Sequence, residues 1–170
     1  TRRILVTMVL TDVSEQALQT VSVFDDLAVE IKKYRVKRSL DANRYYWELV
    51  TKIADKLHIT NACCHNMMLR KYGQFERFDG KVVQIHIPDT EESENKALES
   101  ADFHLYRTSQ VSAGKEGAMY RTYILMKGSS SYDTKEMSRL IDGTVADAKE
   151  LGIETLPPTE LARMKERWGG

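Results

Sequence analysis

The sequence predicts an α+β fold: a small, mainly antiparallel sheet combined with a helical hairpin and C-terminal helices. Three observations carry this expectation. Apolar residues recur at helical spacing through 39–57, 60–73 and 133–151. Alternating residues follow a strong turn signal at Asp79-Gly80. The two kinds of segment succeed one another irregularly, without the repeated strand, helix, strand order that builds a parallel sheet.

Taken in order, residues 3–10 are rich in β-branched and apolar types and read as a buried strand. Residues 14–24 are ambiguous. A second strand opens at Leu27, Val29 and Ile31, but past Lys32-Lys33 the apolar residues are Tyr34 and Val36. Such a change of parity suggests a bulge or a strand leaving its sheet. The clearest helix follows, with Ser39 as its cap and Asp41 in the first turn. Its apolar stripe is Tyr46/Trp47, Val50, Ile53/Ala54 and Leu57, and its polar face carries Arg44, Glu48, Lys52 and Asp55. Trp47 is expected in the core. Thr60 caps a second helix, with Cys64, Met67/Met68 and Tyr72 in phase until Gly73, and the two helices are expected to form a hairpin.

Asp-Gly favours a two-residue turn with positive φ, so Asp79-Gly80 predicts a β-hairpin, with Val83, Ile85 and Ile87 alternating up to Pro88. Residues 89–102 hold six acidic residues against Lys96 alone and read as solvated helix or loop. Strands are expected at 103–109 and 119–127, joined by a loop containing Gly114 and Gly117. Asp133 and Glu136 have capping-box spacing ahead of the stripe Met137, Leu140/Ile141, Val145, Ala148 and Leu151, which stops at Gly152. A Pro157-Pro158 linker leads to a short helix with Leu161, Met164 and Trp168. The whole reads as one α+β domain over 1–170, which would subdivide, if anywhere, into 1–88 and 103–170 around the acidic segment 89–102.

Composition narrows the function classes. Twenty-five basic residues balance twenty-five acidic ones, which excludes a polybasic coat and requires any nucleic-acid surface to be local. Cys63 and Cys64 are adjacent, so no disulfide framework is expected and a reducing, cytoplasmic setting is implied. No apolar run approaches the ~20 residues of a membrane span, and the first residues lack the zones of a signal peptide. The chain opens at Thr1 rather than at a methionine, so a few residues are expected to precede it.

The run Lys37-Arg38-Ser39-Leu40-Asp41-Ala42-Asn43-Arg44-Tyr45-Tyr46-Trp47 resembles the hallmark of the NinB/Orf family of phage recombination proteins, an Arg-Ser-Leu-Asp-x-Asn-Arg segment followed by Trp. Gly128-Ser129-Ser130-Ser131 before a helix, and Arg167-Trp168-Gly169 near the end, resemble that family's Ser-rich turn and C-terminus. The likeness frames 27–57 and 119–169 and does not extend to 60–118. It implies a non-catalytic homodimer that binds single-stranded or gapped DNA and helps to load a recombinase where single-strand-binding protein is present, in the cytoplasm of a bacterial host.

The residues themselves bear on that expectation. Five of the seven positions from Lys32 to Arg38 are basic. Lys33, Arg35, Lys37, Arg38, Arg44 and Lys52 are therefore the candidate DNA contacts, attracting phosphates with a steep salt dependence. Tyr34 and Tyr45 would add base stacking if exposed. The bland alternative is a solvated edge strand whose lysines discourage pairing. Ser39, Asp41, Asn43 and Trp47 form the motif and read as mainly structural, since they suit a helix entry and its core face. Ser129-Ser130-Ser131 is either a phosphate-holding turn or a plain loop.

No catalytic residue, metal or cofactor is expected. His58, Cys63, Cys64 and His65 invite a zinc site, but neighbouring helical side chains diverge by ~100° and no second pair has finger-like spacing. Asp89, Glu94 and Lys96 superficially resemble the signature of a metal-dependent nuclease, without the strand placement it needs. A nuclease and a protein-interaction factor that does not touch DNA remain the competing classes.

Overall fold

The computed structural model describes residues 40–114 and 117–166. The strands expected at 3–10 and 27–36, the Ser39 cap, and Trp168 lie outside the described residues. Helix α1 runs Leu40–Leu57 and α2 runs Asn61–Tyr72. Thr60 caps α2, its hydroxyl accepting the Cys63 N–H at 3.0 Å. Trp47 meets His65, and Thr51 accepts a bond from Asn61, so the helices lie antiparallel as the expected hairpin. Gly73 ends α2 with its N–H on the Leu69 carbonyl, 2.8 Å away.

Strands β1 (Arg77–Phe78) and β2 (Lys81–Val82) form a hairpin through Asp79 and Gly80, at φ 48° and 77°. These paired positive φ values are what an Asp-Gly turn supplies. Strands β3 (Gln84–Pro88), β4 (His104–Ala113) and β5 (Met119–Met126) make a second antiparallel sheet in the order β3-β5-β4. The acidic stretch between β3 and β4 folds as helix α3 (Glu91–Glu99), capped by Thr90 and burying Ala97. It is thus a connection between two strands that both pair with β5. The register of β4 on β5 shifts between Arg107 and Val111, a bulge that Thr108 spans by donating to the Thr122 carbonyl at 2.6 Å.

After a 3₁₀ turn at Ser129–Ser131 come α4 (Thr134–Glu150) and α5 (Pro158–Glu166). The described chain is α+β, with only antiparallel pairings in its sheets. Its main core lies among the helices: Leu49, Val50 and Ile53 of α1 meet Met68 and Leu69 of α2 and Leu140 and Ile141 of α4. Burying such side chains contributes about 1.5–3 kcal/mol each. A smaller cluster, Ala97, Leu105 and Tyr123, seals α3 onto the sheet. Met137 and Met164 are buried within this chain's own core. Neither supplies outward apolar area for a symmetric interface.

The capping box forms as its spacing requires. Asp133 accepts the Glu136 N–H and Glu136 accepts the Asp133 N–H, both at 2.9 Å, while Lys127 holds the same Glu136 oxygen at 2.5 Å. Asp133→Ala is expected to lower stability by about 1 kcal/mol, read as a lower urea midpoint at unchanged slope. A midpoint equal to the parent's would show that the cap carries no weight here.

Candidate functional site

Three adjacent aromatic residues on α1 point in three directions, because neighbours on a helix diverge by ~100°. Tyr46 is fully buried. Tyr45 is also buried, its hydroxyl accepting the Leu156 N–H at 3.0 Å, which removes it as an exposed stacking platform. Trp47 departs from its expected core place: it is 37 % exposed at the edge of a cleft of about 360 Å³. Tyr45 and Tyr46 occupy the inward side of the helix here, and Trp47, a further ~100° round, is turned to the cleft.

His65 of α2 and His104 at the start of β4 line the cleft with Trp47, together with Ser100, Gly128 and Ser130. The Trp47 and His65 rings lie 4.7 Å apart at 33°, and His104 meets His65 edge-on at 5.0 Å. Each imidazole is held from behind, and for His104 the hydrogen bond also sets the tautomer. Asn66 donates its amide protons to the carbonyls of Leu98 (2.7 Å) and Ser100 (2.8 Å). Its oxygen therefore accepts from His104 Nδ1–H, 2.6 Å away, and Nε2 of His104 keeps its lone pair. The Tyr46 hydroxyl lies 2.6 Å from Nδ1 of His65. Burial raises the Tyr46 pKa well above its ordinary value, so the phenol stays protonated beside the His65 ring.

Both histidines are neutral at pH 7. Burial, helped by the neighbouring His104, pushes His65 down to about 4. Burial likewise lowers His104. The cleft thus combines aromatic faces with a lone-pair acceptor and the hydroxyls of a Ser-rich turn.

The predicted basic residues fall into two groups. Lys33, Arg35, Lys37 and Arg38, with the motif residues Ser39 and Asp41, lie outside the residues whose side chains are described. Arg44 is exposed on α1, three positions before Trp47 and hence its neighbour on the helix surface. Lys52 is exposed but tied to Glu48 at 2.6 Å, which offsets its charge. Asn43 is half-buried and its side-chain oxygen is buried without a hydrogen-bond partner.

The carboxylates of Asp89 and Glu94 do converge, but on arginines. Arg121 grips Asp89 with two bonds of 2.7 and 2.9 Å. Arg70 holds Glu94 at 2.5 Å, Tyr123 donates to its other oxygen, and Arg107 lies between the two acids. The Arg121 bond holds Asp89 below its usual range. For Glu94, burial pulls upward, but the bonds from Tyr123 and Arg70 outweigh it and the pKa falls. Lys96 pairs with Glu92 on the solvent side. Cys63 and Cys64 are buried free thiols; burial raises both, Cys64 to about 11, so they stay protonated.

Comparison with protein-family models, curated proteins and solved structures finds no match to the chain. Sequence reading named Trp47, His65 and the serines separately and missed Asn66 and His104 as partners. The available signal was local: His65 and Asn66 are polar residues on the buried stripe of α2.

Proposed function

We propose that this chain binds single-stranded or gapped DNA without cutting it, as a recombination mediator of phage type acting in the bacterial cytoplasm. The observation that carries the reading is the half-exposed Trp47 beside exposed Arg44 on α1, directly after the basic run 32–38 in sequence. Exposed aromatic faces next to cationic groups serve single strands well: the ring takes a base and the cation a phosphate. The NinB/Orf resemblance of residues 37–47 supports the same reading. Single-strand-binding protein and a recombinase are the protein partners it implies, and a homodimer the assembly. Among the described residues no helix is long and apolar enough to cross a membrane.

The arginine-saturated state of Asp89 and Glu94 favours binding over metal-dependent cleavage, since a divalent ion would have to displace guanidinium bonds from both acids. A protein-contact factor is the second reading, favoured by Phe78, 76 % exposed on the β1–β2 hairpin, and by Phe103. Gel shifts with single-stranded, gapped and duplex DNA over a salt range, with and without Mg²⁺, separate the three. The expected result is salt-sensitive retention of single strands, with Trp47→Ala weakening it about fivefold or more, as the loss of ~1–3 kcal/mol of stacking requires. End-labelled strands stay full length. Binding of no DNA at low salt favours the protein-contact factor, and Mg²⁺-dependent shortening favours the nuclease.

A further inference from the structure

We propose that the cleft is a nucleobase pocket: one base of the strand enters it, lays a face along Trp47 and donates an N–H to Nε2 of His104. This rests on the single-strand reading and adds to it a defined subsite and ligand chemistry. The cleft's 360 Å³ falls in the range of sites that enclose small planar ligands. The Asn66 bond to Nδ1 leaves Nε2 as an acceptor, and that atom stands on the cleft side of the ring, near Gly128. A phosphate brings acceptors only and meets this lone pair badly, whereas all four DNA bases carry at least one N–H on their pairing edge. The pocket is therefore selective for a base over a backbone group, yet tolerant of sequence.

Gly128 offers a clean way to close it. A side-chain carbon there would lie 3.7 Å from the Ser130 hydroxyl and 3.8 Å from His104 Nε2, ordinary contact, on a backbone at φ −66° and ψ 137° that any residue adopts. Gly128→Val should fold and melt like the parent while its methyl groups occupy the space the base needs.

Two arms test the proposal. In saturation-transfer NMR with free nucleosides at millimolar concentration, the parent should take adenosine, and purine riboside, which lacks any N–H donor, roughly three- to tenfold more weakly. Gly128→Val should abolish transfer to adenosine. In the strand arm, Gly128→Val should lower oligothymidylate affinity severalfold with the salt slope unchanged, because the lost contact is not ionic. If no strand binds but adenosine still distinguishes parent from Gly128→Val, the single-strand reading fails and the pocket stands. Equal adenosine transfer in parent and Gly128→Val overturns the pocket, as does an absence of transfer in the parent.

Discussion

Lowering the pH from 6.5 to 4 is expected to remove about 3 kcal/mol of folding stability through His65 alone. Its folded pKa, pushed down to about 4 by burial, lies some 2.5 units below the ~6.5 of an unfolded histidine. Across that window the unfolded chain takes up a proton that the folded chain refuses, so acid favours unfolding. Each unit contributes ~1.36 kcal/mol. Above pH 6.5 both states are neutral and the effect vanishes; below about 4 it is complete. His104, lowered in the same sense by burial, adds to the loss. Asp89 and Glu94 act at the acid end, since their depressed folded pKa values give stability that is present above ~4 and lost as they protonate. Urea unfolding at pH 7, 5.5 and 4 measures the profile. His65→Gln keeps an acceptor for Tyr46 but does not titrate, and should flatten the fall between 6.5 and 4. Matching profiles for parent and variant would show that His65 titrates as an ordinary surface histidine.

Gly143→Ala is expected to cost about 2 kcal/mol, although alanine is the better helix former by ~1 kcal/mol. A Cβ at 143 would fall 2.3 Å from Cγ of Tyr72 and 2.4 and 2.5 Å from its two Cδ atoms. Those atoms are the root of the ring, so a change of rotamer at the far end does not clear them. The far end is itself fixed, the Tyr72 hydroxyl donating to Asp147 at 2.6 Å while Lys71 holds the other Asp147 oxygen at 2.8 Å. Relief requires α2 and α4 to move apart, and overpacking of this kind typically costs ~1–3 kcal/mol or more. Thermal and urea unfolding decide it. A Gly143→Ala protein as stable as the parent would mean that α2 and α4 are not in this close contact. Removing the ring in Tyr72→Ala should erase the penalty of the second change, a coupling of ~0.5–3 kcal/mol between touching residues.

Much of the fold was legible because its signals are local. Thr60, Gly73, Asp79-Gly80 and the Asp133/Glu136 box act within a turn of chain and appear where their chemistry puts them. The helical hairpin was legible from two stripes separated by a cap. The site was not. His104 and Asn66 are 38 residues apart and meet only because α2 packs against the start of β4. Trp47 was misplaced because a stripe written as Tyr46/Trp47 does not say which neighbour turns inward. The carboxylate pair Asp89 and Glu94 was visible as a motif, but the arginines that hold it come from α2, β4 and β5. Pairwise chemistry between distant segments leaves no period in the sequence to read.

The central claim is that Arg44 and Trp47, together with the basic run that precedes them in the sequence, contact a single strand. The salt dependence of oligothymidylate affinity tests it most directly, comparing the parent with a protein carrying Arg35→Ala, Lys37→Ala and Arg44→Ala. Each lost phosphate contact should lower the slope of log affinity against log salt by roughly 0.7, so the triple change should reduce it by about 2. Binding should weaken at low salt, and a melting temperature near the parent's would show that the loss is one of binding and not of folding. An unchanged slope and affinity in a folded triple variant would contradict the claim and leave the basic run as a solvated surface.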